Sequence, residues 1–176
     1  MKKHIVSLIL LLLAIYSSGQ ELFDSGLGTF NQTFSRRNSV QFDLGGPGLI
    51  YSFNYERMLI NGRRKKTAIQ IGASYYPPNS GIRDIWIPIG VNELFSRSEH
   101  HLEVGLGWII IREASRDSEN EVVDWFWSTM MFARLGYRYQ RPDGKFIFRA
   151  AFTPFFEFEG TREIHPSGGV SIGYSF

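Results

Sequence analysis

Val170-Ser171-Ile172-Gly173-Tyr174-Ser175-Phe176 alternates large apolar side chains with serine and glycine. Successive side chains of a strand point to opposite faces, so Val170, Ile172, Tyr174 and Phe176 share one face while Ser171, Gly173 and Ser175 share the other. The same period of two recurs upstream. Phe146, Phe148, Ala150, Phe152, Pro154 and Phe156 line one face of 146–157, against Arg149, Ala151, Thr153 and Glu157, with Ile147 and Phe155 out of step. In 101–112, Leu102, Val104, Leu106, Trp108 and Ile110 oppose Glu103, Gly105 and Gly107. No stretch after residue 20 holds the i, i+3, i+4, i+7 spacing of an amphipathic helix.

Working backwards by this rule gives eight strands, at about 39–45, 49–58, 66–76, 84–94, 101–112, 127–139, 146–157 and 168–176. Leu49, Tyr51, Phe53 and Tyr55 share the apolar face of 49–58. Arg141-Pro142-Asp143-Gly144 and Asn61-Gly62 are tight-turn sequences. The links 59–65, 95–100 and 140–145 are short, whereas 113–126 and 158–167 are longer and more polar. Gly46-Pro47-Gly48 is so short that 39–58 reads either as a hairpin or as one strand bent at a glycine bulge.

The chain opens on Met1-Lys2-Lys3-His4 and an apolar run from Ile5 to Tyr16, followed by Ser17-Ser18-Gly19. A cationic start, apolar middle and small-residue exit form a secretory signal peptide, 1–19. Twelve helical residues rise about 18 Å, too little to cross a hydrocarbon core of about 30 Å. Of 19 Lys and Arg against 17 Asp and Glu, the signal carries away Lys2 and Lys3, so the mature chain is formally neutral. That excludes nucleic-acid binding driven by a basic excess. With no cysteine there is no disulfide, thiolate metal site or cysteine nucleophile. One domain follows, 39–176, after a lead-in, 20–38, that has no clear period and that would plug the barrel or touch a partner.

Strands of ten to twelve residues, tilted by about 40°, span about 25 Å. Tyr75, Trp108, Trp127, Tyr137, Tyr139 and Tyr174 gather toward strand ends, as in aromatic girdles. The terminal run resembles the C-terminal targeting signal of bacterial outer-membrane barrels, and the mature chain resembles the small OmpA/OmpX-type barrels. The resemblance implies that the assembly machinery reads Val170, Ile172, Tyr174 and Phe176. It departs from the OmpA type in that no peptidoglycan-binding domain follows. The expectation is an all-β, eight-stranded, antiparallel, up-and-down transmembrane β-barrel in the outer membrane, in contact with its lipids.

The polar faces then turn inward. Asp43, Asn54, Glu56, Gln70, Asn92, Glu103 and Glu157 are expected to share the lumen with Arg134, Arg138 and Arg149. An eight-stranded lumen is only wide enough for side chains, so these charges pair into a plug rather than line a pore. His100 and His101 beside Glu99 and Glu103 read as a solvated turn, since adjacent strand residues face opposite ways. Glu113, Asp117, Glu119, Glu121 and Asp124 read as a solvated loop, with Val122 standing where a calcium loop needs glycine. Neither metal nor cofactor is expected. His165, near Ser167, Glu163 and Arg162, fits no catalytic motif, and the protein is expected not to be an enzyme. The functional expectation is a structural, adhesive or surface-interaction role through 113–126 and 158–167, with the surface partner open. A soluble lipocalin-like barrel around an apolar ligand and a membrane-barrel lipid enzyme are the alternatives.

Overall fold

The computed structural model describes residues 33–63, 65–77, 85–97, 99–116, 122–157 and 164–176, and the 1–19 signal segment lies outside them. The strands are β1 (Asn38–Gly45), β2 (Tyr51–Asn61), β3 (Lys65–Tyr75), β4 (Ile85–Arg97), β5 (His100–Arg116), β6 (Val122–Gln140), β7 (Phe146–Phe152), β8 (Phe155–Phe156), β9 (Ile164–His165) and β10 (Gly168–Ser175). All pairings are antiparallel, and β1 pairs with β2 on one side and β10 on the other, so the sheet closes on itself. β7 and β8 form one stave interrupted at Thr153-Pro154; β9 and β10 form another, interrupted at Pro166-Ser167. Proline has no N–H for a ladder, which accounts for both breaks. Ala133 N donates to Pro154 O at 3.1 Å and Thr153 N to Ser167 O at 2.7 Å, carrying the ladder across them. The barrel has eight staves.

The hairpin alternative for 39–58 is the observed one. Gly46–Gly48 is a short 3-10 turn, with Gly45 at φ 78° and Gly46 at φ 68°. A Cβ on Gly45 would lie 2.3 Å from Gly168 O, so this corner needs glycine for space as well as for its dihedral. Leu49, expected on the outer face, sits instead at φ 68° in the turn and packs on the interior cluster. The expected loop 113–126 is also corrected. β5 and β6 pair out to Arg116↔Val122, leaving 117–121, with Asp117, Glu119 and Glu121, outside the described residues.

Val40, Phe53, Tyr55, Ile71, Trp108, Leu135, Phe148 and Ile172 face outward and are exposed, Phe53 by 65%. Gln41, Ser52, Asn54, Glu56, Gln70, Asn92 and Glu103 face inward and are buried. A large apolar side chain left in water forgoes roughly 1.5–3 kcal/mol of burial. A wall of them is stable only in an apolar medium, and that medium offers the backbone no partners, which closure supplies. The lipocalin-like alternative needs the opposite orientation.

The interior is also graded along the barrel axis. The near end is the one that holds Asn38 and Phe176. There Phe34, Met58, Ala68 and Leu94 form a small apolar cap. Polar and charged residues fill the middle. At the far end Tyr76, Trp86, Ile109, Ile111, Met130, Phe132 and Phe155 form a larger apolar cluster, joined by Leu49 and Tyr51. Phe132 reaches across toward Gly107, where a Cβ would come within 2.5 Å of its ring. Glycine at that point of β5 is what admits the ring.

Candidate functional site

The middle of the lumen is built from β1, β2, β3, β4, β5, β6 and β7, whose inward positions bring three arginines against three acids. Glu56 Oε1 accepts from Arg138 Nη1 at 2.7 Å, and its Oε2 accepts from Arg149 Nη2 at 3.1 Å. Glu103 Oε2 accepts from Arg149 Nε at 2.9 Å, and its Oε1 from Arg134 Nη1 at 3.2 Å. Arg149 thus bridges two carboxylates, each of which holds a second arginine. Asp43 is peripheral, 3.9 Å from Arg134 Nη2.

Amide side chains fill the gaps. Gln70 Oε1 accepts from Arg134 at 2.7 Å and from Asn92 Nδ2 at 3.0 Å, and Asn92 Nδ2 also reaches Glu56 Oε2 at 3.2 Å. Asn54 shares the lumen but bonds Ser52 rather than an arginine. Removing one partner from such a buried set leaves an uncompensated charge, so the members hold one another in place. Glu103 is 0% exposed, and the apolar clusters cover the network at both ends.

Two expectations need correcting. Glu157 faces inward but lies beyond the network at the far rim, where its Oε2 is 3.7 Å from His165 Nε2. His101 is not in a solvated turn. It is buried, with its Nε2 3.1 Å from Gln140 O and its ring edge-on to Phe34 at 5.2 Å. His100 does lie outside, and its Nδ1 is 2.5 Å from the Tyr137 hydroxyl. The Glu163 and Arg162 neighbours of His165 lie outside the described residues.

Sequence reading missed Gln140, whose Oε1 accepts from Arg138 Nε at 2.9 Å and Nη2 at 2.5 Å, and the buried Lys66. Gln140 has the parity of Arg138 and lies one residue past the end assigned to its strand, so parity alone would have found it. Phe34 was missed as well. It is tied in place by Phe34 N to Asn61 Oδ1 at 3.0 Å and Asn61 Nδ2 to Phe34 O at 2.7 Å. Ser35 N donates to Pro142 O at 2.8 Å, fixing the lead-in across the near mouth.

At the far end β4 meets β5 no further than Ile85↔Arg112, and β8 meets β6 no further than Met131↔Phe156. Beyond those rungs, among the described residues, β5 and β6 form a two-stranded ribbon. It carries Trp125 and Phe126, with Trp127 on the Arg112 rung at its base, all exposed, and the Arg112 guanidinium lies 4.1 Å from the Trp125 ring centre.

No known family and no curated protein matches the sequence. Solved structures match its fold. The N-terminal β-barrel domain of Pseudomonas aeruginosa OprF is similar at TM-score 0.54 and 14% identity, over 81% of this chain and 100% of that one. Ail, the attachment invasion locus protein of Yersinia pestis, is similar at TM-score 0.50 and 11% identity, over 80% of this chain and 99% of that one. That structure is a complex with the heparin analogue sucrose octasulfate. The chain has the eight-stranded outer-membrane barrel fold.

That fold accounts for what the interior and wall have in common. In an outer-membrane barrel the lipid-facing band is apolar and edged with aromatic rings, and here Trp108, Tyr137 and Tyr174 stand on the outer face. The terminal residues fit the fold too. Val170, Ile172, Tyr174 and Phe176 all point outward from β10 and its last residue, while Ser175 turns in and its N donates to Lys145 O at 2.6 Å.

Proposed function

We propose that the protein is exported on its 1–19 segment and lodges in the bacterial outer membrane with its near end in the periplasm. There it acts as a non-conducting, non-enzymatic barrel that presents the β5–β6 ribbon to a partner at the cell surface. Its wall is solvated by outer-membrane lipids, and its last strand is the segment the assembly machinery reads, through Val170, Ile172, Tyr174 and Phe176. The observation that carries the surface role is the ribbon: exposed aromatic side chains on both faces of a hairpin that, among the described residues, extends past the last rungs of its neighbouring strands. Aromatic residues dominate binding hot spots, and a patch of them outside the membrane band has no lipid to cover it. Glu113 and Asp124 sit on the ribbon with Arg112 and Arg116, so its aromatic patch carries mixed charge, a chemistry that suits a protein partner.

A photoreactive residue placed at Phe126 or at Trp108 in intact cells tests this. At Phe126 the expected product is a macromolecular adduct, and at Trp108 lipid alone. Lipid adducts at both positions would remove the surface role. The non-enzymatic reading is checked separately by His165→Ala, which is expected to leave membrane lipid composition unchanged.

A further inference from the structure

The outer wall holds a groove of about 840 Å³ that crosses β3, β2, β1 and β10. Its sides are Phe53, Tyr55, Ile71 and Tyr174, and its floor lies where side chains are small, at Ala73 and over the backbones of Gly72 and Gly173. Along the near rim, four residues make one row across adjacent staves. Arg57 stands opposite Asn38 in the β1–β2 register. Asn38 and Phe176 exchange backbone bonds, and Lys145 O accepts from Ser175 N. Lys145 Nζ sits 5.8 Å from the Tyr174 ring centre. Arg57 and Lys145 are exposed, and among the described residues no carboxylate pairs with either. The side-chain acids of the near rim that face neighbouring cations are engaged elsewhere: Glu93 with Lys65, and Glu99 and Asp143 with Arg141.

We propose that this groove and rim form a binding site for an anionic phospholipid of the periplasmic leaflet, with an acyl chain in the groove and the phosphate on Arg57. The site rests on the outer-membrane reading above and adds a ligand class and a place to it. An apolar trough that ends at a cation matches the two halves of a phospholipid. The guanidinium offers a planar fork of donors suited to phosphate oxygens. Tyr55 donates to Asn38 Oδ1 at 2.8 Å between trough and cation, at the depth where an amphipathic ring marks the interface. Lys145 supplies a second positive charge on the same row. A second copy of the chain fits the groove less well. Two barrels inserted the same way would set their cationic rims side by side at one height, and like charges there oppose contact.

The test uses the folded full barrel in detergent, mixed with equal amounts of phosphatidylglycerol and phosphatidylcholine, with retained lipid read by native mass spectrometry. Phosphatidylglycerol is expected to be retained about fivefold over phosphatidylcholine, the size of one cation's contribution at an anionic surface. Arg57→Gln should bring the two lipids close to parity. Ala73→Phe, which fills the trough from the lipid side, should lower retention of both. A gel run with and without boiling shows whether each variant is folded. Absence of a heat shift in the parent protein would count against the membrane barrel itself, whereas a heat-shifting barrel with no lipid preference overturns only this site. The site also falls if both variants retain phosphatidylglycerol like the parent, or if a dimer mass persists unchanged by lipid. Binding of soluble peptidoglycan fragments that is lost in Arg57→Gln, without lipid retention, would assign the rim to the cell wall instead.

Discussion

Glu103 and Glu157 are both glutamates on inward-facing positions, and the environment around each decides what it contributes. Glu103 accepts from Arg149 at 2.9 Å and from Arg134 at 3.2 Å with no exposure to solvent. Glu103→Gln keeps the shape but leaves three lumen arginines facing Glu56 and Asp43 alone. Breaking a buried pair in this way costs about 3 to 5 kcal/mol. Urea unfolding of the barrel in detergent should therefore shift to a much lower midpoint. Glu157 pairs with His165 at a rim where both are partly solvated, and Glu157→Gln should move stability by no more than about 0.5 kcal/mol. Equal effects of the two substitutions would mean that the central network is hydrated rather than sealed. The sequence showed which way these side chains point, because parity is a local property. It did not show how far along the axis they sit, because height follows from the stagger between strands. That is why Glu157 was grouped with a network that it lies beyond. Ile147 and Phe155, the two residues that broke the alternation, were the visible sign that the lumen is apolar at places.

Among the elements, the β5–β6 pair departs furthest from the sequence reading, and for an identifiable reason. Acidic and serine-containing residues over 113–126 suggested a loop, yet polar residues are compatible with a strand when neither face has to be buried. The pairing then continues to Arg116↔Val122. Trp125-Phe126-Trp127 was the contrary signal, since three successive aromatic residues favour strand over loop. Past Arg112 and Met131 the ribbon pairs, among the described residues, with no other stave, so it should be separable from the barrel. Replacing 114–125 by Asn-Gly, which joins the paired residues Glu113 and Phe126, is expected to leave the heat-dependent gel shift intact and to abolish the macromolecular crosslink expected at the surface. The two-residue turn suits a tight hairpin and keeps the register of the rungs below it. Loss of the heat shift in that variant would show that the ribbon is needed for closure, and the surface role would lose its main support. The short turns were easier to read, because Arg141-Pro142-Asp143-Gly144 carries its conformation in its own residues.

For the whole molecule, closure depends on one seam, β1 against β10, which joins the two ends of the barrel sequence. The seam runs from Leu44↔Val170 and Gly45↔Gly169 to Ser39↔Ser175, and past it Phe176 N donates to Asn38 O at 2.9 Å while Asn38 N donates to Phe176 O at 3.3 Å. Eight staves were countable from alternation and turns, and the terminal strand announced itself. The near-end stopper did not, because Phe34 lies in a stretch without period and its role comes from partners far away in sequence. Phe176 combines two roles that can be separated. Its backbone supplies a rung of the seam, and its exposed ring offers the apolar terminus that an assembly machinery would read. Phe176→Ala removes only the ring, whereas deletion of Phe176 removes the rung as well and places the chain-terminal carboxylate one position earlier on the seam. In cells, both changes should sharply lower the amount of heat-shifting protein in the outer membrane. In refolding from urea into detergent, where no machinery takes part, Phe176→Ala should close like the parent and only the deletion should lag. If the deletion assembles normally in cells, neither the ring nor the last rung matters. If Phe176→Ala lags equally in detergent, the ring acts by packing on the barrel wall and not by being read.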